Sequence, residues 1–418
     1  ALAALRKAVE LDAFDQRARH SLTLVEMLAD WKRYEGKHFV VRCKPGIDEA
    51  LAAWMPQALD AVRADVTAWL GHVPGRPTVI ELHPDHKSFA VRITGMPWIH
   101  TIAASTGPLI ALEAPREGAP ALHLGTFDWQ EVLRHEYVHT VTLEQTRNRI
   151  PHWFTEALAT HLETRPRSWE AVQLLAQAYE SDGLFDLDSI NLAFVRPKKK
   201  NDRPQAYAQG AWMVEFIEKE WGREAILKLL DRYREGTDES KAFADVLAID
   251  RAEFMGRFHA HAEKDLRAWG MLAEPTLAKV VEDIRAETGA KDGAVEISDE
   301  RLDALLAKHP AHPDFLELWL RRKLKGDATP DAATVERLQA YAAARPADPW
   351  PHRVLAKAAL AAGDTAGAAA HLEVLDRNAD NDANFALELA RIERGRKNLP
   401  RALEHVTKAA RIKAYDPA

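Results

Sequence analysis

The spacing of apolar positions divides the chain into stretches of different kind. His38-Phe39-Val40-Val41-Arg42-Cys43 and Thr78-Val79-Ile80-Glu81-Leu82 are rich in β-branched and aromatic residues and predict strands. Gly107-Pro108-Leu109-Ile110-Ala111-Leu112-Glu113 predicts another, ended by Ala114-Pro115. Between the first two, Asp48–Leu70 has the period of a long amphipathic helix. From Asp128 to about Gly270 the period is helical. Asp128 with Glu131 three residues on has the form of a capping box, and Pro151 suits the first turn of a further helix. From Pro275 onward Ala, Leu, Glu and Arg recur at helical spacing with short polar breaks. The pattern predicts an α+β, mostly helical chain: a helical segment at 1–34, an α/β sheet lobe at 35–125, a helical lobe at 126–272 and a helical array at 273–418. A small sheet followed by a helical lobe suits a cleft between the two.

The array carries an internal offset of 34 residues. Leu355 aligns with Leu389, Ala356 with Ala390, Ala368 with Ala402, Leu372 with Val406 and Leu375 with Ala409. Small or apolar residues at those places let paired helices approach closely. A 34-residue helix–turn–helix period resembles tetratricopeptide repeats, although Lys397 replaces Gly363 at the second inter-helix turn and the usual aromatic positions are mostly missing. The segment Ser298–Asp327 reads as an earlier, poorer unit. Leu2–Asp12 resembles the second helix of such a repeat, so Ala1 is expected to stand partway through one, with more repeats upstream. A plain amphipathic capping helix is the alternative. Repeats of this type imply recruitment of a protein partner or substrate.

The helix opened by Asp128 contains His135-Glu136-Tyr137-Val138-His139. Positions i and i+4 share one helix face, so both imidazoles can reach one ion. Glu136 lies beside the pair and can contact a metal-bound water. This is the His-Glu-x-x-His spacing of zinc peptidases, with Glu as general base. With 18 histidines in the chain, the spacing alone is only moderately specific; its plain alternative is a surface histidine pair. A tetrahedral catalytic zinc needs a third protein ligand and an open position. Glu156 stands seventeen positions after His139, within Pro151-His152-Trp153-Phe154-Thr155-Glu156-Ala157-Leu158-Ala159. The connection at Gln145–Ile150 is short and polar, so the two helices are expected to pack antiparallel and bring Glu156 opposite the histidines. Ala157 and Ala159 allow the close approach.

On HEYVH at 135–139 and PHWFTEALATHLE at 151–163 the chain resembles the gluzincin metallopeptidases, in particular bacterial peptidase-MA-like domains beside tetratricopeptide repeats. The resemblance covers roughly residues 35–270 and implies a two-lobed zincin-like fold, a zinc cofactor held by His135, His139 and Glu156, and peptide or protein substrates. Tyr207 and Gly210 match the Tyr-x-x-Gly helix start that supplies an oxyanion-stabilising tyrosine in related aminopeptidases. The resemblance therefore implies catalytic roles for Glu136 and Tyr207. The strand at Leu109–Glu113 is expected to be an edge that pairs with extended substrate, with Ala111 and Glu113 as substrate-binding candidates. The Gly-x-Met-Glu-Asn segment of the aminopeptidases is absent, and the His139-to-Glu156 spacing is two residues shorter than theirs. Peptide-bond hydrolysis is thus implied and aminopeptidase specificity is not. Repeat-linked peptidases of this kind are often exported in bacteria, and the lone cysteine fits a periplasmic or exported setting without requiring it; the compartment stays open.

Composition narrows the alternatives. The 418 residues are 47% hydrophobic and 28% charged, the balance of a folded protein with sizeable cores. A net charge of −7 leaves no electrostatic footprint for nucleic acid. No apolar run reaches the roughly 20 residues of a membrane span. One cysteine, Cys43, excludes an internal disulfide and a cysteine-based metal site. His152 and His161 are expected to be partly exposed neighbours of Glu156, His83 and His86 to lie in a solvated proline turn, and His259 and His261 to carry no role. Arg196–Pro204 reads as a basic loop before Tyr207. Two further readings stand beside the peptidase: a catalytically silent peptidase-like repeat scaffold, and a structural zinc site. Three ligands where structural sites use four count against the last.

Overall fold

The computed structural model describes residues 1–120, 122–288, 296–325, 329–379 and 381–416, which are mostly helical around one small sheet. Helices α1 (Leu2–Leu11) and α2 (Gln16–Leu28) form an opening hairpin, with the Asp15 side chain accepting from Ala18 N at the start of α2. Strands β1 (Lys32–Glu35) and β2 (Phe39–Cys43) follow, then α3 (Asp48–Leu70), β3 (Thr78–His83), α4 (His86–Thr94), β4 (Ala103–Ser105) and β5 (Leu109–Glu113). Acidic Asp48 and Glu49 occupy the first turn of α3, where they suit the helix dipole, and left-handed Gly71 ends it.

The strands run in the order β1-β2-β3-β5-β4. The central β2, β3 and β5 are parallel, with Val41 opposite Ile80 and Ile80 opposite Ile110; β1 and β4 pair antiparallel at the two edges. The expected edge role of Leu109–Glu113 is therefore corrected. Ala111 lies between Glu81 on one side and Ala104 on the other, so its backbone is already paired. Ala111 and Glu113 are both buried. The edge is β4, three small residues whose pattern is too short to signal a strand. Strand β1 also escaped the periodicity, so the sheet begins at Lys32, before the expected boundary at 35.

The second lobe comprises α5 (Trp129–Gln145), α6 (His152–His161), α7 (Trp169–Glu180), α8 (Ser189–Val195), α9 (Asp202–Trp221), α10 (Arg223–Glu235), α11 (Glu239–Leu247) and α12 (Arg251–Ala268). One apolar core runs from Phe39 through Trp129, Trp153 and Trp212 to Leu266, so sheet and helices share it. Within it α6 packs closely against α9. A Cβ at Gly210 would stand 3.1 Å from Ala157 Cβ. Gly210→Leu is expected to overpack this crossing and lower stability by about 1–3 kcal/mol, measured by thermal or denaturant unfolding.

The array comprises α13 (Leu277–Thr288), α14 (Asp299–Lys308), α15 (Pro313–Lys323), α16 (Ala332–Ala344), α17 (Pro349–Ala361), α18 (Thr365–Asn378), α19 (Asn384–Gly395) and α20 (Leu399–Ile412). Ser298–Asp327 supplies α14 and α15, although its last two residues lie outside the described ones. Helix α17 pairs with α18 and α19 with α20, matching the 34-residue offset. Of the aligned positions Leu355, Leu389, Ala368, Ala402, Leu375 and Ala409 are buried, whereas Val406 is 45% exposed. Gly363 turns between α17 and α18 with φ +74°, and Lys397 adopts φ +61° at the equivalent turn. The two turns thus share a left-handed backbone although the second has no glycine, at the steric cost of a Cβ in that region.

The array does not project away from the sheet and helices. Arg411, in the last turn of α20, grips the N-cap carboxylate of α5, Asp128, with contacts of 3.0–3.2 Å. Tyr415 donates to buried Asp48 at 2.6 Å, which Arg116 also contacts at 2.5 Å. Both acceptors sit at helix starts, where a carboxylate is already favoured.

Candidate metal centre

Helix α5 begins at Asp128, whose side chain accepts from the backbone N–H groups of Gln130 and Glu131. Its spacing places His135 and His139 one turn apart, with ring centroids 5.0 Å from each other. The chain then reverses through Arg147 and Asn148, both left-handed, and enters α6 after Pro151. This returns Glu156 to the histidines. Glu156 Oε2 lies 3.5 Å from His135 Nε2 and 3.4 Å from His139 Nε2. Among the described residues these three form the group that could hold a metal ion, their ligand atoms all within 4.8 Å of one another.

The surrounding hydrogen bonds fix which ring nitrogens are free. Thr142 Oγ1 donates to Val138 O at 2.9 Å, so it accepts from Thr155 Oγ1 at 2.9 Å. Thr155 therefore accepts from His139 Nδ1 at 2.9 Å, and the His139 Nε2 lone pair faces the centre. His135 Nδ1 meets the Glu163 carboxylate at 2.9 Å, which can only accept, and its Nε2 is likewise turned inward. Glu156 Oε2 is buried and has no hydrogen-bond partner. Two imidazole lone pairs and an anionic oxygen thus converge where a cation is required. Nitrogen and carboxylate donors of this kind suit a divalent transition metal such as zinc.

The electrostatics agree. Burial opposes the charged forms of His135 and Glu156. The two histidines facing Glu156 outweigh it there and hold its carboxyl well below the usual range, while Glu156 and Glu163 raise His135. A proton or a metal ion can meet the same need. Outer partners that orient metal ligands commonly carry 10–100-fold in affinity. Glu163→Ala is therefore expected to weaken zinc binding about 10–100-fold, read by competition with a chromogenic chelator.

Glu136 lies on the same turn but does not join the three ligands. It is 8% exposed, and burial raises its pKa against the opposing pull of His139 and His135. Ser105 Oγ also meets Thr140 Oγ1 at 3.2 Å, tying the edge strand to α5. Tyr207 projects from α9 with its ring 6.2 Å from His135 and edge-on to Phe194. Burial and the nearby Glu156 and Glu136 carboxylates raise its pKa, so its hydroxyl stays protonated. Tyr207 stands in the second turn of its helix rather than at the start, because Asp202 begins α9 by accepting from the Lys198 and Lys199 backbone. Pro204, expected in the basic loop, is in that first turn.

Glu113 belongs elsewhere. Its carboxylate meets His86 Nδ1 at 2.8 Å and Leu124 N at 3.0 Å. His83 and His86 are buried rather than solvated: one ends β3, the other begins α4, and the proline turn between them folds inward onto Trp31 and Phe89. His152 is half-exposed, 3.4 Å from Glu156 Oε1, and His161 pairs with Glu218 at 2.9 Å. Sequence reasoning missed Glu163, Thr155, Thr142 and Ser105. Glu163 carried a signal, standing seven residues beyond Glu156 on the same face of the α6 path.

The site thus brings two histidines and a carboxylate together, with Glu136 alongside and Tyr207 at the rim. Residues 122–263, which contain all of it except the β4 edge strand, match the model of the Peptidase MA superfamily. Among solved structures the chain is similar to native yeast LTA4 hydrolase, with 10% sequence identity over 92% of this chain and a TM-score of 0.33. The chain spans 65% of that structure's length. No curated protein sequence matches it.

Proposed function

We propose that the protein is a zinc-dependent metallopeptidase that hydrolyses peptide bonds, with its tetratricopeptide-like array taking part in substrate or partner recruitment. The observation that carries this reading is the convergence of His135, His139 and Glu156 around an unpaired buried oxygen, with Glu136 alongside but outside the ligand set. His135 and His139 would bind zinc through Nε2 and Glu156 through Oε2. Bound there, zinc supplies Lewis acidity that brings the pKa of water to about 7 and polarises a carbonyl.

The chain's own residues do the rest. Glu136, buried and more basic than a free carboxylate, takes a proton from the attacking water and later delivers it to the leaving amine. Tyr207 keeps its proton and donates a hydrogen bond to the oxyanion that develops on the scissile carbonyl. β4 leaves one backbone edge unpaired beside Glu136, and an extended peptide can add to it as a further strand.

Metal analysis with hydrolysis of an unstructured protein tests the reading. One zinc per chain, casein cleavage, and loss of cleavage on chelation with recovery on zinc readdition are expected. Stoichiometric zinc without cleavage would overturn it in favour of a silent scaffold. Among the described residues no helix is long and apolar enough to cross a membrane.

A further inference from the structure

Beside Tyr207 the cleft continues toward the array. A cavity of about 340 Å³ borders the loop between α6 and α7 and reaches Asn378 at the end of α18. A second cavity, of about 600 Å³, adjoins it, for Pro166, Arg167 and Asn378 line both. The second is largely apolar, with Trp269 from beyond α12, Ala343 from α16 and Val374 from α18 in its wall. Arg167 is held at the junction by Glu215 at 2.7 Å and by Trp269, whose ring centre is 4.5 Å from the guanidinium carbon. Cavities of this size accommodate organic ligands and peptide segments.

Two polar atoms along this path lack partners. Thr160 Oγ1 and Asn378 Oδ1 are buried and unbonded, and both residues line the first cavity. Buried polar atoms are normally satisfied, and an extended polypeptide offers an N–H and a C=O at every residue. From these observations we infer that a polypeptide substrate runs from the metal centre along the α6–α7 loop and between the helical lobe and the array, setting an apolar side chain in the second cavity. The array is then a wall of the substrate cleft, and residues of the substrate several positions from the cleaved bond contribute to its selection. The inference rests on the peptidase reading for the identity of its ligand.

Ala343→Trp tests it, because Ala343 is exposed and the indole would fill the apolar cavity. The probes are fluorescein-labelled β-casein and randomised, internally quenched hexapeptides, with zinc-loaded full-length chain. Ala343→Trp is expected to raise KM for casein about tenfold while hexapeptide kcat/KM stays within about twofold. In the Glu136→Gln background, casein affinity by fluorescence anisotropy should fall by the same factor. Asn378→Ala, which adds no bulk, should shift casein in the same direction by a smaller factor. An unchanged casein KM and affinity, or an equal loss on casein and hexapeptides, overturns the inference. If the wild type cleaves neither probe but Ala343→Trp still weakens casein binding, the channel stands and the hydrolytic reading fails. Absence of both cleavage and casein binding overturns the two together.

Discussion

Glu136→Gln is expected to lower turnover by about a thousandfold while one zinc per chain stays bound, since a positioned general base contributes roughly 10²–10⁴. The substitution keeps shape, and the Ser105–Thr140 hydroxyl contact still ties edge strand to helix. It removes only the capacity to take a proton. Metal content is preserved because the ligand atoms belong to His135, His139 and Glu156, not to Glu136. The pH dependence gives a second readout. Burial raises the Glu136 pKa, and a base acts only when deprotonated. Wild-type kcat/KM should therefore fall as pH drops and Glu136 takes up a proton, and the residual activity of Glu136→Gln should lack that limb. Full hydrolysis by a zinc-loaded variant would remove Glu136 from the mechanism and leave no chemical reason for its place beside the ligands.

How far the chain disclosed this in advance follows from the range of each interaction. His135, Glu136 and His139 lie within one turn of a helix whose cap and period were both readable, and Glu156 lies across a single short connection. Local spacing carries such geometry. Strand β4 was hidden because Ala103-Ala104-Ser105 has neither length nor β-branched character, and its placement depends on β5 being claimed from the other side by β3. Without that register, Leu109–Glu113 passed for the edge. His83 and His86 sat in a sequence context that favours a turn, and contacts distant in sequence, with Trp31 and Glu113, accompany their burial. The return of the array has no local signal. Arg411 and Asp128 are 283 positions apart, and either charge alone reads as an ordinary helix-end residue. The 34-residue offset showed that the helices pair but not that their last turn grips the helix carrying the metal residues.

Glu156→Ala is expected to weaken zinc binding by about a hundredfold or more and with it all hydrolysis. Structural zinc sites bind with about 10–16 kcal/mol shared among four ligands, so one ligand carries about 3 kcal/mol, roughly a hundredfold. Glu156 is also the anionic donor of the three, and its loss leaves two neutral imidazoles around a divalent ion. Thermal unfolding at increasing zinc is the simplest measure, because a ligand bound only to the native state stabilises it by RT ln(1 + [L]/Kd). The wild-type midpoint should climb with zinc and the variant's should scarcely move. The metal-free proteins should differ as well, in a pH-dependent way. Glu156 is more acidic folded than unfolded, so its stabilising effect is present above its ordinary value and lost as pH falls through the depressed one. His135 is more basic folded than unfolded, so its effect is complete below its ordinary value and lost as pH rises through the raised one. The ion pair is therefore fully formed between the ordinary values of 4.5 and 6.5, and the metal-free wild type should exceed Glu156→Ala in stability most within that window. A gap that grew steadily toward alkaline pH would contradict the pairing, because there the proton that zinc replaces has already left His135.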